Sequence, residues 1–116
     1  MKLSEFSSAD RPVIAKFEEL GDYFAGIIIK EPVWQDDPAN AGKEMLVVVI
    51  QTDKGLYVQI NGRTQMPRAL MDAVADADVD EMVAGGHLTV TFTEYAGQAK
   101  IYKAVYEPPQ EQAAAF

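Results

Sequence analysis

The chain is 116 residues long, 48% hydrophobic and 24% charged, values that suit one globular domain and exclude a disordered chain. It has no cysteine and a single histidine, His87, which excludes a disulfide scaffold, a thiolate metal site, a cysteine nucleophile and most histidine-based metal sites. Ten Lys and Arg against eighteen Asp and Glu give a net charge of −8 and a pI near 4.5, so the surface as a whole repels polyanions.

The bases are nevertheless gathered. Residues 43–68 carry four bases and two acids, and residues 95–106 carry two bases and no acid, whereas residues 69–94 carry six acids and no base. The longest apolar runs, Phe24 to Ile29 and Met45 to Ile50, are six residues each, against the ~18 that a membrane span needs. Glu5, Asp10, Glu18 and Glu19 interrupt the first twenty residues, which do not read as a signal peptide. These features predict a cytoplasmic domain with no membrane partner.

In chain order, residues 1–20 form a lead-in. Asp10 ahead of Arg11-Pro12, with Val13, Phe17 and Leu20 at helical spacing, suits a short helix ended by Gly21. An extended segment wrapping the core fits as well. Tyr23 to Lys30 reads as a first main strand, and Gly26 inside it marks a bulge or sharp bend of the kind found at a barrel corner. Residues 31–43, with two prolines, Asp36-Asp37, Asn40 and Gly42, read as a long loop that holds the only tryptophan, Trp34.

Met45 to Thr52 predicts a central strand, Asp53-Lys54-Gly55 a tight turn, and Leu56 to Ile60 a return strand. Strict alternation there places Leu56, Val58 and Ile60 inward and Tyr57 and Gln59 outward. Asn61-Gly62 is a turn signal. Thr64 as cap, Pro67 in the first turn and Leu70, Val74 and Ala77 along one face predict a helix, and Asp78 with Glu81 has capping-box spacing for a further short turn. Leu88 to Thr93 alternates apolar-in and threonine-out, Ala96-Gly97-Gln98 is a turn, and Ala99 to Tyr106 is the last strand, with Tyr102, Ala104 and Tyr106 on one face. A domain over residues 21–107 and a tail over 108–116 complete the plan.

Three strands, a helix and two strands predict a mainly β fold, a five-stranded Greek-key barrel of the OB type with one helix between strands three and four. Other α+β arrangements fit the same string. Gly21 to Gly26 entering a strand, Met45 to Thr52 followed by Leu56-Tyr57-Val58, and Gly86 to Thr93 followed by Lys100 to Pro108 together resemble the small single-stranded-DNA-binding proteins of actinobacteriophages. The resemblance spans roughly residues 20–109. It implies an OB-fold, single-stranded DNA as partner, a role in phage DNA replication or recombination alongside proteins of those processes, homo-oligomers and the host cytoplasm.

Binding single strands without sequence preference needs aromatic faces for bases and cations for phosphates. Trp34, Lys54, Tyr57, Gln59, Arg63 and Arg68 form the first candidate set, around the second and third strands of the expected barrel. Tyr95, Lys100, Tyr102 and Lys103 form a second set. Each has a plain structural alternative: cross-strand packing for Tyr57, a lid on the core for Trp34, and edge protection for Lys100 and Lys103.

Asp72, Asp76, Asp78, Asp80 and Glu81 lack the register of a calcium loop and read as a solvated face, so no metal and no cofactor is expected. No nucleophile–base pair is indicated, and the expectation is a protein without catalytic activity. A competing expectation is an OB-like protein-interaction module or acidic adaptor without DNA affinity, or a DNA mimic acting through residues 72–81.

Overall fold

In a computed structural model, residues 12–109 are described. Asp10, Arg11 and most of the tail lie outside them. Six strands form one mixed, open sheet: β1 (Val13–Ile14), β2 (Tyr23–Asp36), β3 (Glu44–Gln51), β4 (Tyr57–Gly62), β5 (His87–Ala96) and β6 (Ala99–Glu107), in the order β1-β4-β3-β2-β5-β6. One helix, α1 (Gln65–Asp76), connects β4 to β5. Among the described residues no helix is long and apolar enough to cross a membrane.

The strands arise from alternation. In β5, Leu88, Val90 and Phe92 are fully buried, with Thr89 and Thr91 turned to the other face. In β6, Ala104 and Tyr106 are buried and Tyr102 is half-buried, so the face that their spacing gives them in common is the core side. β3 is buried on both faces, Leu46, Val48 and Ile50 in the core and Met45, Val47 and Val49 behind them.

The 14-residue β2 organises the sheet. Its first half pairs with β5 through Tyr23–Thr91 to Ile27–His87, and its second half pairs with β3 through Ile27–Gln51 to Asp36–Glu44. Ile27 belongs to both ladders. The transfer requires Gly26, because a Cβ there would stand 2.7 Å from the Gln51 carbonyl carbon and 3.0 Å from the Thr52 nitrogen. Register shifts at Ile28/Lys30 and Lys30/Val33 bend the strand further.

Four expectations are corrected. The sheet has six strands rather than five and does not close into a barrel, because β4 and β6 share no ladder. β1 instead pairs in parallel with β4 (Val13–Val58, Ile14–Gln59), and Ala15 N–H donates to the Gln59 carbonyl at 2.9 Å. On the far side α1 packs mainly against β6, with Ala69, Ala73 and Ala104 buried together in the core. A two-residue strand thus covers part of the β4 edge and the helix covers β6, while the seam between β4 and β6 stays open.

The second correction concerns only the helical alternative for the lead-in: residues 12–20 contain β1 and no helix, as the extended alternative has it, and Phe17 enters the core. Third, residues 31–43 are not one long loop. The cross-strand pairs Val33–Val47, Trp34–Leu46 and Asp36–Glu44 extend the ladder almost to the hairpin tip, and Trp34 stands in a strand. The remaining turn is closed by Asp37. Its buried carboxylate accepts hydrogen bonds from Ala39 N–H (2.9 Å), from Asn40 Nδ2 (3.0 Å) and from the Arg63 guanidinium, whose Nη2 lies at 3.1 Å. Fourth, Leu56 lies in the β3–β4 turn and is 55% exposed, so the inward alternation begins at Val58.

Candidate nucleic-acid interface

Three surfaces gather the candidate residues. The first is the face of β2, β3 and β4 that points away from α1. Directly paired residues of antiparallel strands share a face, so Gln51 carries Ile27 and Tyr57 beside it. The next rows hold Lys30, Val49 and Gln59, then Val33, Val47 and Asn61. Across β2–β4 these rows contain no carboxylate and one ammonium group, with Val47 and Val49 buried in the middle; beyond Ile27 the first row runs on through His87 to Glu107. Glu31, which sits within the Lys30/Val33 register shift, directs Oε2 to the Ala84 N–H at 3.4 Å. Gln59 Nε2 donates to Asn61 Oδ1 at 2.9 Å, which aligns two amides along β4 beside the half-buried Tyr57.

The second surface is the open seam. Where β4 and β6 fail to meet, a cleft of about 540 Å³ is lined by Asn61, Arg63, Thr64, Gln98, Lys100 and Tyr102, among others. Arg63 and Lys100, 37 positions apart in the chain, both line this cleft. Asn61 belongs to both the cleft and the flat face, so the two are continuous.

Neither cation is unengaged. Arg63 grips Asp37, although its side chain is 54% exposed, and the guanidinium holds the Asp37 carboxyl far below the usual carboxylate range. Lys100 Nζ donates to the Phe17 carbonyl and sits 5.4 Å from the centre of the Phe92 ring. Tyr102 packs edge-on to Phe17 at 5.0 Å, and burial raises its phenol above the ordinary tyrosine value. It is therefore mainly a core residue with one side toward the cleft.

The other candidates are dispersed. Lys54 is exposed in the turn beyond Tyr57, at the opposite end of β4 from Arg63, and Arg68 is exposed on α1. Tyr95 leans on Phe92 at 4.9 Å, cross-strand from Lys100. Lys103 shares a shallow hollow with Asp72, Asp76 and Glu94, whose charge opposes its own. Trp34 is on the wrong face. It pairs with Leu46 on the α1 side of the sheet, in the third surface, an apolar groove.

Asn61, Gln51, Lys30 and Gln98 were not anticipated. Continuing the Tyr57–Gln59 alternation by two residues reaches Asn61, but the Asn-Gly pair signals a turn there. Among the described residues no three carboxylates or histidines converge as metal ligands. Comparison of the chain with protein-family models, with curated proteins and with solved structures gave no match.

Proposed function

We propose that the protein binds single-stranded DNA without catalysis, along the flat face of β2–β4 and into the open seam. One observation carries the reading: in a chain of net charge −8, the rows around Tyr57, Gln59 and Asn61 carry no carboxylate across β2–β4 and lead to Arg63 and Lys100. Tyr57 supplies the stacking surface, and Gln51, Gln59 and Asn61 supply donors and acceptors for base edges. Lys30, Lys54, Arg63 and Lys100 supply charge along the path.

The ladders also favour an OB-type reading. β2 pairs with both β3 and β5, and a helix links β4 to β5, as expected for the first, second, third and fourth strands of such a barrel. In this reading the seam is an OB closure left open. The segments that resemble phage single-strand-binding proteins supply the same strands, and self-association and a role in replication or recombination belong to the proposal.

The test is an anisotropy titration of labelled single- and double-stranded oligonucleotides at about 50 and 200 mM salt. Single strands are expected to bind more tightly, with affinity falling as salt rises. Tyr57→Ala is expected to lose ~1–3 kcal/mol of binding while keeping its circular dichroism spectrum. Absence of binding at the lower salt, or an unchanged affinity in Tyr57→Ala, refutes the proposal.

A further inference from the structure

The groove on the opposite side is apolar, open and unrelated to the flat face. Its walls are Trp34 and Leu46 from the β2–β3 hairpin, Leu70, Met71 and Val74 from α1, and Met82 from the segment after it. They enclose about 510 Å³. Trp34 is 53% exposed and Met71 69% exposed, an unusual state for two large apolar side chains that flank one hollow. An exposed tryptophan beside a flexible methionine is the composition of an adaptable protein-docking site.

The rim specifies the occupant. The two charged residues that line the groove, Asp80 and Glu81, are both acidic. Asp36 and Glu44, two positions from Trp34 and Leu46 on their strands, lie on the same side of the hairpin. Asp78 follows at the exit of the helix, next to the lining residue Val79. A partner entering this groove must bury apolar side chains and place cations around them.

We propose that the groove receives a basic amphipathic segment of a second protein, its apolar residues between Trp34 and Met71 and its Lys or Arg residues against the acidic rim. The segment that fits is a short helix with one apolar stripe. Polyanions are repelled from this side, so the partner and a DNA strand use opposite faces.

Trp34 is the only tryptophan, so its emission reads the groove directly. The probe is a tryptophan-free amphipathic helix of leucine and lysine, titrated into the full chain, with a leucine–glutamate counterpart and a scrambled leucine–lysine peptide as controls. The leucine–lysine helix is expected to shift Trp34 emission to the blue and protect it from acrylamide, and the two controls to do neither. Met71→Glu, at an exposed position, is expected to weaken binding about tenfold. Asp80→Asn is expected to weaken it about two- to threefold and Asp53→Asn, with the same loss of charge in a distant turn, not at all.

Equal binding of the controls, no blue shift, or equal effects of Asp80→Asn and Asp53→Asn overturns the proposal. So does a blue shift that follows protein concentration alone, which assigns the groove to a second copy. Shielding of Trp34 that disappears only when residues 110–116 are removed assigns it to the chain's own end and likewise overturns it. Oligonucleotide affinity does not enter these readouts, so the DNA proposal stands or falls separately.

Discussion

Gly26→Ala tests the arrangement on which the flat face depends. At an ordinary strand position this change favours folding by about 0.5–1 kcal/mol, because alanine has less backbone freedom to lose. Here the added methyl would meet the Gln51 carbonyl carbon at 2.7 Å and the Thr52 nitrogen at 3.0 Å, where carbon contacts are optimal at about 3.5–4.0 Å. The obstructing atoms are backbone, so no rotamer change relieves the clash. β3 must retreat by roughly 1 Å, and it carries Val48 and Ile50, both fully buried, with it. Overpacking of this kind costs ~1–3 kcal/mol, and the positional strain puts the net loss near 2 kcal/mol. With a urea slope of ~1.5 kcal/mol/M, the midpoint is expected to fall by about 1.3 M. Urea titrations followed in parallel by Trp34 fluorescence and far-ultraviolet circular dichroism read the shift. A midpoint equal to or above that of the parent chain means that β2 does not cross from β5 to β3 at this point, and the face built on that crossing is lost with it.

Other outcomes follow from single contacts. Loss of stacking in Tyr57→Ala and of groove binding in Met71→Glu are read by the titrations described above. Asp37 is a carboxylate whose pKa is depressed in the folded state by Arg63, by Asn40 and by the Ala39 N–H, so its contribution to stability is present above the unfolded value of ~3.9 and is lost as the pH falls below it. Asp37→Asn is therefore expected to be less stable than the parent from about pH 5 upward, with the gap in urea midpoint closing as the medium is acidified through pH ~4. A gap that is constant with pH removes the ion pair from the account. Tyr106→Phe deprives the Val83 N–H of its acceptor at 3.0 Å and is expected to cost about 1 kcal/mol in chemical denaturation, with oligonucleotide binding unchanged.

The strand interiors were legible because burial imposes a period of two. Val58 and Ile60, and Leu88, Val90 and Phe92, point where their spacing places them, and Ala104 and Tyr106 share the one face that their spacing gives them. The helix was legible from Thr64, Pro67 and the apolar face, although Thr64 makes no side-chain cap bond. Residues 31–36 were misread because Pro32 and the Asp36-Asp37 pair carry loop chemistry. Pro32 and the acids are tolerated where β2 runs out along a hairpin that is largely exposed. Sheet closure was not legible, since no local pattern records whether β4 meets β6 or is separated from it by α1. The same applies to the site. Arg63 and Lys100 look like neighbours only after the topology joins two distant segments, and their partners Asp37 and Phe17 lie far from both in sequence.

The alternation that forms the strands also sorts the charge. Gln35 and Met45 face one side, and their chain neighbours Asp36 and Glu44 face the other. A one-residue slip in either strand would exchange these sets and bring carboxylates onto the flat face. Packed layers stand ~10 Å apart, about one Debye length at 0.1 M salt. At that ionic strength the acids behind the sheet would be partly screened from a strand bound in front of it as proposed, while Lys30 and Lys100 would act at shorter range. Net charge is thus a poor guide to what each face can bind. The two proposed ligands, a basic segment in an acidic groove and a polyanion on β2–β4 rows that lack carboxylates, can coexist on one small domain, because the sheet between them fixes which residues each would meet.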